Sequence, residues 1–530
     1  MKTGIIILGA GVMQGPAIRI AREMGLYTVV VDGDSRALNA AQADRFEQID
    51  LKDKEGIEAL ARSLTTDACR LGGIMTAGTD FSASVAWAAE RLGLPGIPYQ
   101  AALNASDKQR MRSCFEKAGV PSPAFKVFGA AGQDAPLPAL PVVVKPVDNM
   151  GGRGCRRVDS AGELDRALED ALRFSRSGRA IVESFMEGPE FSVDAVVYDD
   201  QISICGLADR HIFFPPYFIE MGHTMPTNFP PRDQEALLEV FKDAVRALGI
   251  ASPGCRGAAK GDVKLTPRGP MIGEVAARLS GGYMSGWTYP YASGVQPIRA
   301  AIRAALGLRP GNLDPERDWT CAERAFISIP GRVRSISGVK EAEQTEYLRD
   351  LFLRAEPGKD AVFPENNVSK CGNVITSAPG REQAVQAADR AVRSILIRLE
   401  PANPATDAFL SAFAPQHGPA FPPDAFTLDP RLYAALAALP DPPFPPPGEL
   451  ASTVIIPFPE FDSGPDSPRD YAGRSLKETL DAVRELSGLP LPLGSSPGAP
   501  ALGRAFWNAL VRGGYQGAVY FIDNLRGPII

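Results

Sequence analysis

GAAKGDVKLTPRGPMIGEVAARLSGG, residues 257–282, governs how the rest of the chain is read. TPRGP interrupts two runs rich in apolar residues, and proline with glycine marks a turn, so the stretch predicts a hairpin with Asp262 in one strand and Glu274 in the next. Such a hairpin brings two carboxylates together. Magnesium takes hard oxygen ligands, usually one or two carboxylates completed by substrate phosphates. Arg278 follows four residues after Glu274 and leads into Leu279, Ser280, Gly281 and Gly282. A guanidinium beside such a site can neutralise charge that develops on transferred phosphoryl oxygens. Taken alone, the same residues also read as a surface salt-bridge set.

Two segments upstream bear on the choice. In VESFMEGPEFSVD a strand ends at Glu183, a hinge holds Phe185 and Met186, and a second strand resumes at Glu190 after Gly188 and Pro189. A hinge of this kind can offer backbone amide and carbonyl to an adenine edge, with carboxylates for the amino group and ribose; an exposed acidic turn is the other reading. In VVVKPVDNMGGRGCRRV, Lys145 ends a strand, and Asn149 to Gly154, with Gly151, Gly152 and Gly154, forms a loop before a return strand. Glycine lets backbone N–H groups approach phosphate oxygens, and lysine supplies a point charge. A flexible surface turn is the alternative there.

The N-terminus reads as strand, helix, strand: Ile5 to Leu8, a helical stretch after Gly15 ending at Gly25, and Thr28 to Val31. A parallel α/β domain to about residue 100 follows. GAGVMQG approximates a dinucleotide fingerprint with Asp32 as its ribose acid, but Gln14 stands where the third glycine would fall. An NAD-dependent oxidoreductase is the minor reading of that turn. Ser106 is expected to cap a helix over Met111, Cys114, Phe115 and Ala118, stopped by Gly119 and Pro121. REQAVQAADRAVRSILIRLE (381–400) predicts an amphipathic helix with Val385, Ala388, Val392, Ile395 and Leu396 inward. Prolines concentrate between Pro401 and Pro447, which reads as a linker or strap. Beyond it Leu476, Leu480 and Val483 suit one helix face, Leu502, Phe506 and Leu510 another, and AVYFI (518–522) a strand.

Size and composition set the class. The 530 residues exceed what one core supports, so several domains are expected. Hydrophobic content of 45% and a net charge of −6 give no reason to expect nucleic acid or an anionic membrane as partner, which leaves small-molecule chemistry. The 7 cysteines form no CxxC pair and read as reduced thiols, and the 3 histidines, His211, His223 and His417, nearly exclude a histidine-rich metal centre. With no membrane-length apolar run or leader cleavage pattern, a cytoplasmic enzyme is the default.

Because the lysine strand, glycine loop, hinge and carboxylate hairpin occur in that order, the chain resembles the ATP-grasp superfamily. Within it the likeness is to carboxylate–amine ligases related to biotin carboxylase and bacterial L-amino acid ligases. The likeness covers about residues 1–400 and includes SDKQRMRSCFEKAGVPSP and FPENNVSKCGNVITSAPGREQAVQAADRAV. It implies an α/β protein with an N-terminal α/β domain (1–104), a two-part α+β grasp domain (105–310) and a closing subdomain (311–400). A proline-rich linker (401–450) and a tail (451–530) without a chemical account follow. It also implies ATP and Mg2+ (or Mn2+) as cofactors, a small-molecule carboxylate and an amine as substrates, and a chain compatible with a homodimer.

Carried over by motif, Lys108 and Lys145 would contact ATP phosphates and the loop Asn149, Gly151, Gly152 and Gly154 would close over them. Glu183, Phe185, Met186 and Glu190 would hold adenosine, and Asp262 and Glu274 the metal. Arg278 would act in catalysis with Lys145 and, with Gly281 and Gly282, face substrate; His223 in GHTMPTNFP would be a further substrate contact. The family commonly carries asparagine where this chain has Ala276, which leaves a second metal less well held. Bicarbonate activation of the carboxylase type and a non-catalytic ATP-binding module are the alternatives.

Overall fold

The computed structural model describes residues 2–64, 69–129, 136–412, 421–461, 467–494 and 498–527. They form two compact units, residues 1–212, 222–323 and 377–384 in one, and residues 213–221, 324–376 and 385–530 in the other. His417 lies outside the described residues.

The first unit opens with β1 (Thr3–Leu8), α1 (Gly15–Glu23), β2 (Tyr27–Asp32), β3 (Arg45–Gln48), α2 (Lys54–Leu64), β4 (Arg70–Thr76) and α3 (Ser82–Arg91). The strands pair in parallel in the order β3-β2-β1-β4. Ile5, Ile6, Ile7 and Leu8 are all fully buried, as the middle strand of a sheet covered on both faces requires. Ile5 and Ile7 share a core cluster with Ala258 and Leu279, so this sheet draws part of its core from residues far along the chain in the same unit.

Next come α4 (Tyr99–Ser106) and α5 (Lys108–Ala118). Asp107, not Ser106, caps α5: its side chain accepts from the Arg110 amide at 3.0 Å, whereas Ser106 closes α4 with its hydroxyl on the Ala102 carbonyl. Gly119, at φ 69°, ends α5 in the left-handed region that an L side chain avoids. An antiparallel sheet follows in the order β5-β8-β6-β7, from β5 (Phe125–Phe128), β6 (Val142–Pro146), β7 (Arg156–Val158) and β8 (Ala180–Ser184), backed by α6 (Leu164–Phe174).

The larger sheet of this unit contains β9 (Glu190–Tyr198), β10 (Gln201–Phe213), β11 (Ile219–Met225), β12 (Arg256–Thr266) and β13 (Gly269–Ala276), with α7 (Pro231–Ala247) before β12. The run β13-β12-β9-β10 is antiparallel throughout. One face packs on α7 through Phe241, and Gly261 is what lets it close, since a Cβ there would lie 2.4 Å from the Phe241 ring. The opposite face carries the charged side chains described below.

In the second unit, strand Gly331–Ser337 pairs antiparallel with Leu396–Leu399. The helix expected to run through Leu396 stops at Ser394, and Ile395 leads into that strand. The proline-rich stretch contains helices Pro404–Ser411 and Pro430–Ala438, each with proline at its first turn, where the missing N–H costs nothing. Leu432 and Leu436 enter one core with Leu476, Leu480, Val483, Phe506, Trp507 and Leu510, so the helix Pro430–Ala438 of the stretch expected as a linker is packed structure. AVYFI lies in helix Arg504–Leu525 and not in a strand. A short apolar run buried on every side has no period to separate the two states. No disulfide joins any of the seven cysteines. No described helix is long and apolar enough to cross a membrane.

Candidate functional site

The expected hairpin forms, with Asp262 of β12 directly opposite Glu274 of β13 and Lys260 opposite Ala276. On its other edge β12 sets Asp262 beside Ser192, Lys260 beside Asp194 and Lys264 beside Glu190 of β9. Strand side chains alternate between faces, so Lys260, Asp262, Lys264, Glu190, Asp194 and Glu274 share one face. Arg210 of β10 joins them as the partner of Glu190.

Cations hold these carboxylates in a definite pattern. Lys108, the first residue of α5, places Nζ 3.2 Å from Glu274 Oε1 and donates to the Asn149 carbonyl at 2.8 Å. Asp262 is held by Arg210 Nη1 at 2.8 Å on Oδ1 and by the Lys260 ammonium on Oδ2. Glu190 is ion-paired to Arg210 and, at 3.7 Å, to Lys264. Glu183, 3% exposed, receives Arg112 Nε at 2.8 Å on one oxygen and Lys145 Nζ at 2.8 Å on the other.

Burial pulls against ionisation at Glu274, Lys108 and Asp194, and the neighbours determine which prevails. Desolvation raises the Glu274 carboxyl, but Lys108, Lys145 and Lys260 outweigh it and bring the pKa down to about 2. Desolvation likewise works against the Lys108 ammonium, yet Glu274, Asp80 and Glu183 keep its pKa above the ordinary lysine value. Both stay charged at neutral pH. Asp194 goes the other way: burial lifts it to about 6 against the hydrogen bonds from Ser280 and the charges of Lys260 and Arg278.

Asn149 to Gly154 connects β6 to β7, and Gly151, Gly152 and Gly154 take φ of 70°, 77° and 67°. Glycine is needed for those angles, and they leave the amides on a tight turn. Asn149 secures the loop by donating to the Phe174 carbonyl at 2.8 Å while accepting from the Met150 amide at 2.9 Å. At the hinge, the Phe185 amide donates to the Pro141 carbonyl at 3.0 Å, and the Arg157 guanidinium lies 4.3 Å from the Phe185 ring centroid. Gly188, at φ 113°, passes so close to β12 that a Cβ would sit 2.1 Å from the Leu265 carbonyl oxygen.

Arg278 differs from the other cations of this face. Its Nη1 donates to the Leu279 carbonyl at 3.0 Å, its Nε is buried without a partner, and among the described residues it holds no carboxylate. The loop after it is anchored by Asp194, which accepts from the Ser280 amide at 3.0 Å and hydroxyl at 2.5 Å. The Gly78 amide donates to the Leu279 carbonyl at 3.2 Å, and Gly281 packs on Gly78. Gly281 and Gly282 therefore sit beside the AGTD loop of the N-terminal sheet.

Two expectations meet different surroundings. His223 on β11 is 0% exposed, with Nδ1 3.0 Å from Glu323 Oε2, so a buried carboxylate holds one of its ring nitrogens. In the N-terminal turn the Gln14 side chain accepts from the Gly11 amide at 3.0 Å and donates to the Ala77 carbonyl, filling the space a pyrophosphate needs. Asp32 accepts from the Ala10 and Asp34 amides, at 2.8 and 2.9 Å, which ties its carboxylate to the turn itself. The turn is built to hold its own strand and helix.

Arg112, Arg210, Asp194 and Lys260 were not singled out from the sequence. Lys260 follows from the two-residue period once Asp262 is fixed, and Arg112 lies one helical turn after Lys108. Arg210, on a distant strand, carries no sequence signal.

Asp194 yields a test. Its folded pKa of about 6 exceeds the ordinary 3.8, so the folded state binds more protons between those values. Its ionisation therefore costs nothing below about pH 4, erodes stability as pH rises, and reaches its full cost above about pH 6. The melting temperature of Asp194→Asn relative to the parent should rise across that interval; a constant difference from pH 4 to pH 7 would remove the assignment.

Residues 105–282 match the family described as ATP-grasp domain, residues 18–96 the ATP-grasp N-terminal domain, and residues 325–400 the L-amino acid ligase C-terminal domain 2. An uncharacterized protein of Sinorhizobium fredii, y4rH, is 26% identical over 388 residues, 71% of this chain and 79% of its own length. A D-alanine–D-alanine ligase of Marinobacter nauticus is 34% identical over 175 residues, 31% of this chain and 53% of the ligase, so the likeness spans about half of that enzyme. The crystal structure of an L-amino acid ligase from Bacillus licheniformis superposes with a TM-score of 0.64 at 22% identity, covering 76% of this chain and 100% of the other. That superposition establishes a shared fold.

Proposed function

Because this chain carries an ATP-grasp domain over residues 105–282, preceded by an ATP-grasp N-terminal domain, we propose that it is an ATP-dependent ligase that joins a carboxylate to an amine through an acyl phosphate. The observation that carries this reading is the juxtaposition of two carboxylates, Asp262 and Glu274, with Lys108 beside them and Arg278 left, among the described residues, without a carboxylate. A triphosphate supplies the missing negative charge.

Lys108 and Lys145 bind phosphate oxygens, each retaining N–H donors beyond those given to Glu274 and Glu183. The amides of Gly151, Gly152 and Gly154 cover the phosphates, and the hinge at Phe185 and Met186, with Glu190, holds adenosine. Glu183 is assigned to holding Arg112 and Lys145, which it meets at 2.8 Å each. Magnesium, or manganese in its place, held between Asp262 and Glu274, would neutralise charge at the phosphates. A substrate carboxylate oxygen attacks the γ-phosphorus, the bond to the β-phosphate oxygen breaks, and ADP leaves. The amine then attacks the acyl carbon, phosphate departs, and the amine proton passes to solvent. Arg278 donates to the acyl phosphate and to the oxyanion of the tetrahedral intermediate. No enzyme nucleophile is needed, because positioning and charge neutralisation carry the reaction.

The relatives' names point to amino acids as substrates, and cysteines without disulfides suit a reducing cytoplasm. ADP release measured against a panel of amino acids, other amines and bicarbonate, with light scattering for the expected homodimer, tests the reading. ADP, phosphate and amide should appear in equal amounts only when carboxylate and amine are both present, and Asp262→Ala should abolish all three. ADP release that needs bicarbonate would redirect the assignment to a carboxylase-type reaction, and none with any pair would make the chain an ATP-binding module.

A further inference from the structure

We infer that Lys260 takes the place of a second divalent cation, so that this site binds its nucleotide with one metal ion and one built-in ammonium. The inference rests on the ligase reading above and adds to it how the phosphates are neutralised.

Lys260 sits one pleat from Asp262, opposite Ala276 on β13 and Asp194 on β9, and its side chain is 13% exposed. Its ammonium lies against Asp262 Oδ2, while Arg210 takes Oδ1 of the same carboxylate. A pair of metal ions needs shared carboxylates and further oxygen ligands. Ala276 contributes a methyl group where an amide oxygen would be required, and among the described residues no group of three or more His, Cys, Asp or Glu could hold a metal ion. Asp262 and Glu274 alone suit one ion whose remaining ligands are phosphate oxygens.

The groups around Lys260 are consistent with such a use. Asp194, opposite, gives its oxygens to Ser280 and forms no ion pair with Lys260, so the ammonium has one protein carboxylate and N–H donors to spare. A lysine ammonium is a compact point charge, and partial burial limits the water that would screen it. It can bind the oxygen atoms that a second metal would otherwise bridge, without requiring an additional ligand from β13.

The test counts metal ions. Manganese binding to the full chain is followed by electron paramagnetic resonance in the presence of a non-hydrolysable β,γ-imido analogue of ATP. One nucleotide-dependent Mn2+ per chain is expected, and two in the double variant Lys260→Thr, Ala276→Asn. Two ions in the parent chain, or one in both proteins, would overturn the inference, and the parent count decides even where the variant fails to fold. Absence of any nucleotide-dependent Mn2+ in the parent would remove the ligase reading and the inference together. Calorimetry without divalent ions gives a second readout: Lys260→Met should weaken binding of the analogue by roughly tenfold, the loss of one charge-assisted hydrogen bond. Unchanged affinity would overturn the role of the ammonium.

Discussion

Replacing Arg278 with alanine is expected to lower kcat by about two to three orders of magnitude, ~3 kcal/mol of barrier, the size of effect seen when an oxyanion donor is removed. Among the described residues Arg278 forms no ion pair, so its removal breaks no salt bridge. The melting temperature should therefore stay close to the parent's, and ATP binding should change little because Lys108 and Lys145 remain. Steady-state kinetics with ATP and the best substrate pair, beside a thermal melt, separates the two effects. A kcat within threefold of the parent would remove Arg278 from the chemistry.

Glu183→Ala should be the most damaging single change to the fold of this region. The carboxylate is almost fully buried and holds Arg112 and Lys145, and Arg112 is itself fully buried with its Nη2 on the Gly273 carbonyl at 2.5 Å. Removing the anion leaves two desolvated cations facing each other, which typically costs about 3–5 kcal/mol. Desolvation opposes the charge on Glu183, but Arg112 and Lys145 outweigh it and hold its pKa below the ordinary 4.5. The stabilisation is thus present above pH 4.5 and is lost as pH falls through the lower folded value. Urea unfolding at pH 7 should show the full loss, and the gap between parent and variant should narrow in acid. A loss under 1 kcal/mol at pH 7 would mean that water or a rearranged partner takes over the cations.

Much of this arrangement could be read before any coordinates. Turn residues at Pro267 and Gly269 predict the hairpin, and the two-residue period of strands puts Asp262 and Glu274 on one face, as the register confirms. The boundaries of α5, apart from its cap, follow from apolar spacing and Gly119. Local rules failed where short runs are buried on every side. AVYFI and the stretch after Ser394 lack a period that would distinguish helix from strand, and proline at a helix's first turn made residues 401–450 look like a linker.

Motif order and strand period were enough to identify the class of chemistry, because they depend on neighbours within a few residues. Which cation holds which carboxylate could come only from the fold. Arg112 meets Glu183, and Arg210 meets Asp262, across separations that no local pattern encodes. The same packing buries His223 against Glu323. It also turns GAGVMQG from a nucleotide fingerprint into a turn closed by Gln14 and Asp32. Charge and burial at a residue are set by everything packed around it, so the ion pair of Lys260 and the lack of one at Arg278 among the described residues emerge only when the sheet is assembled.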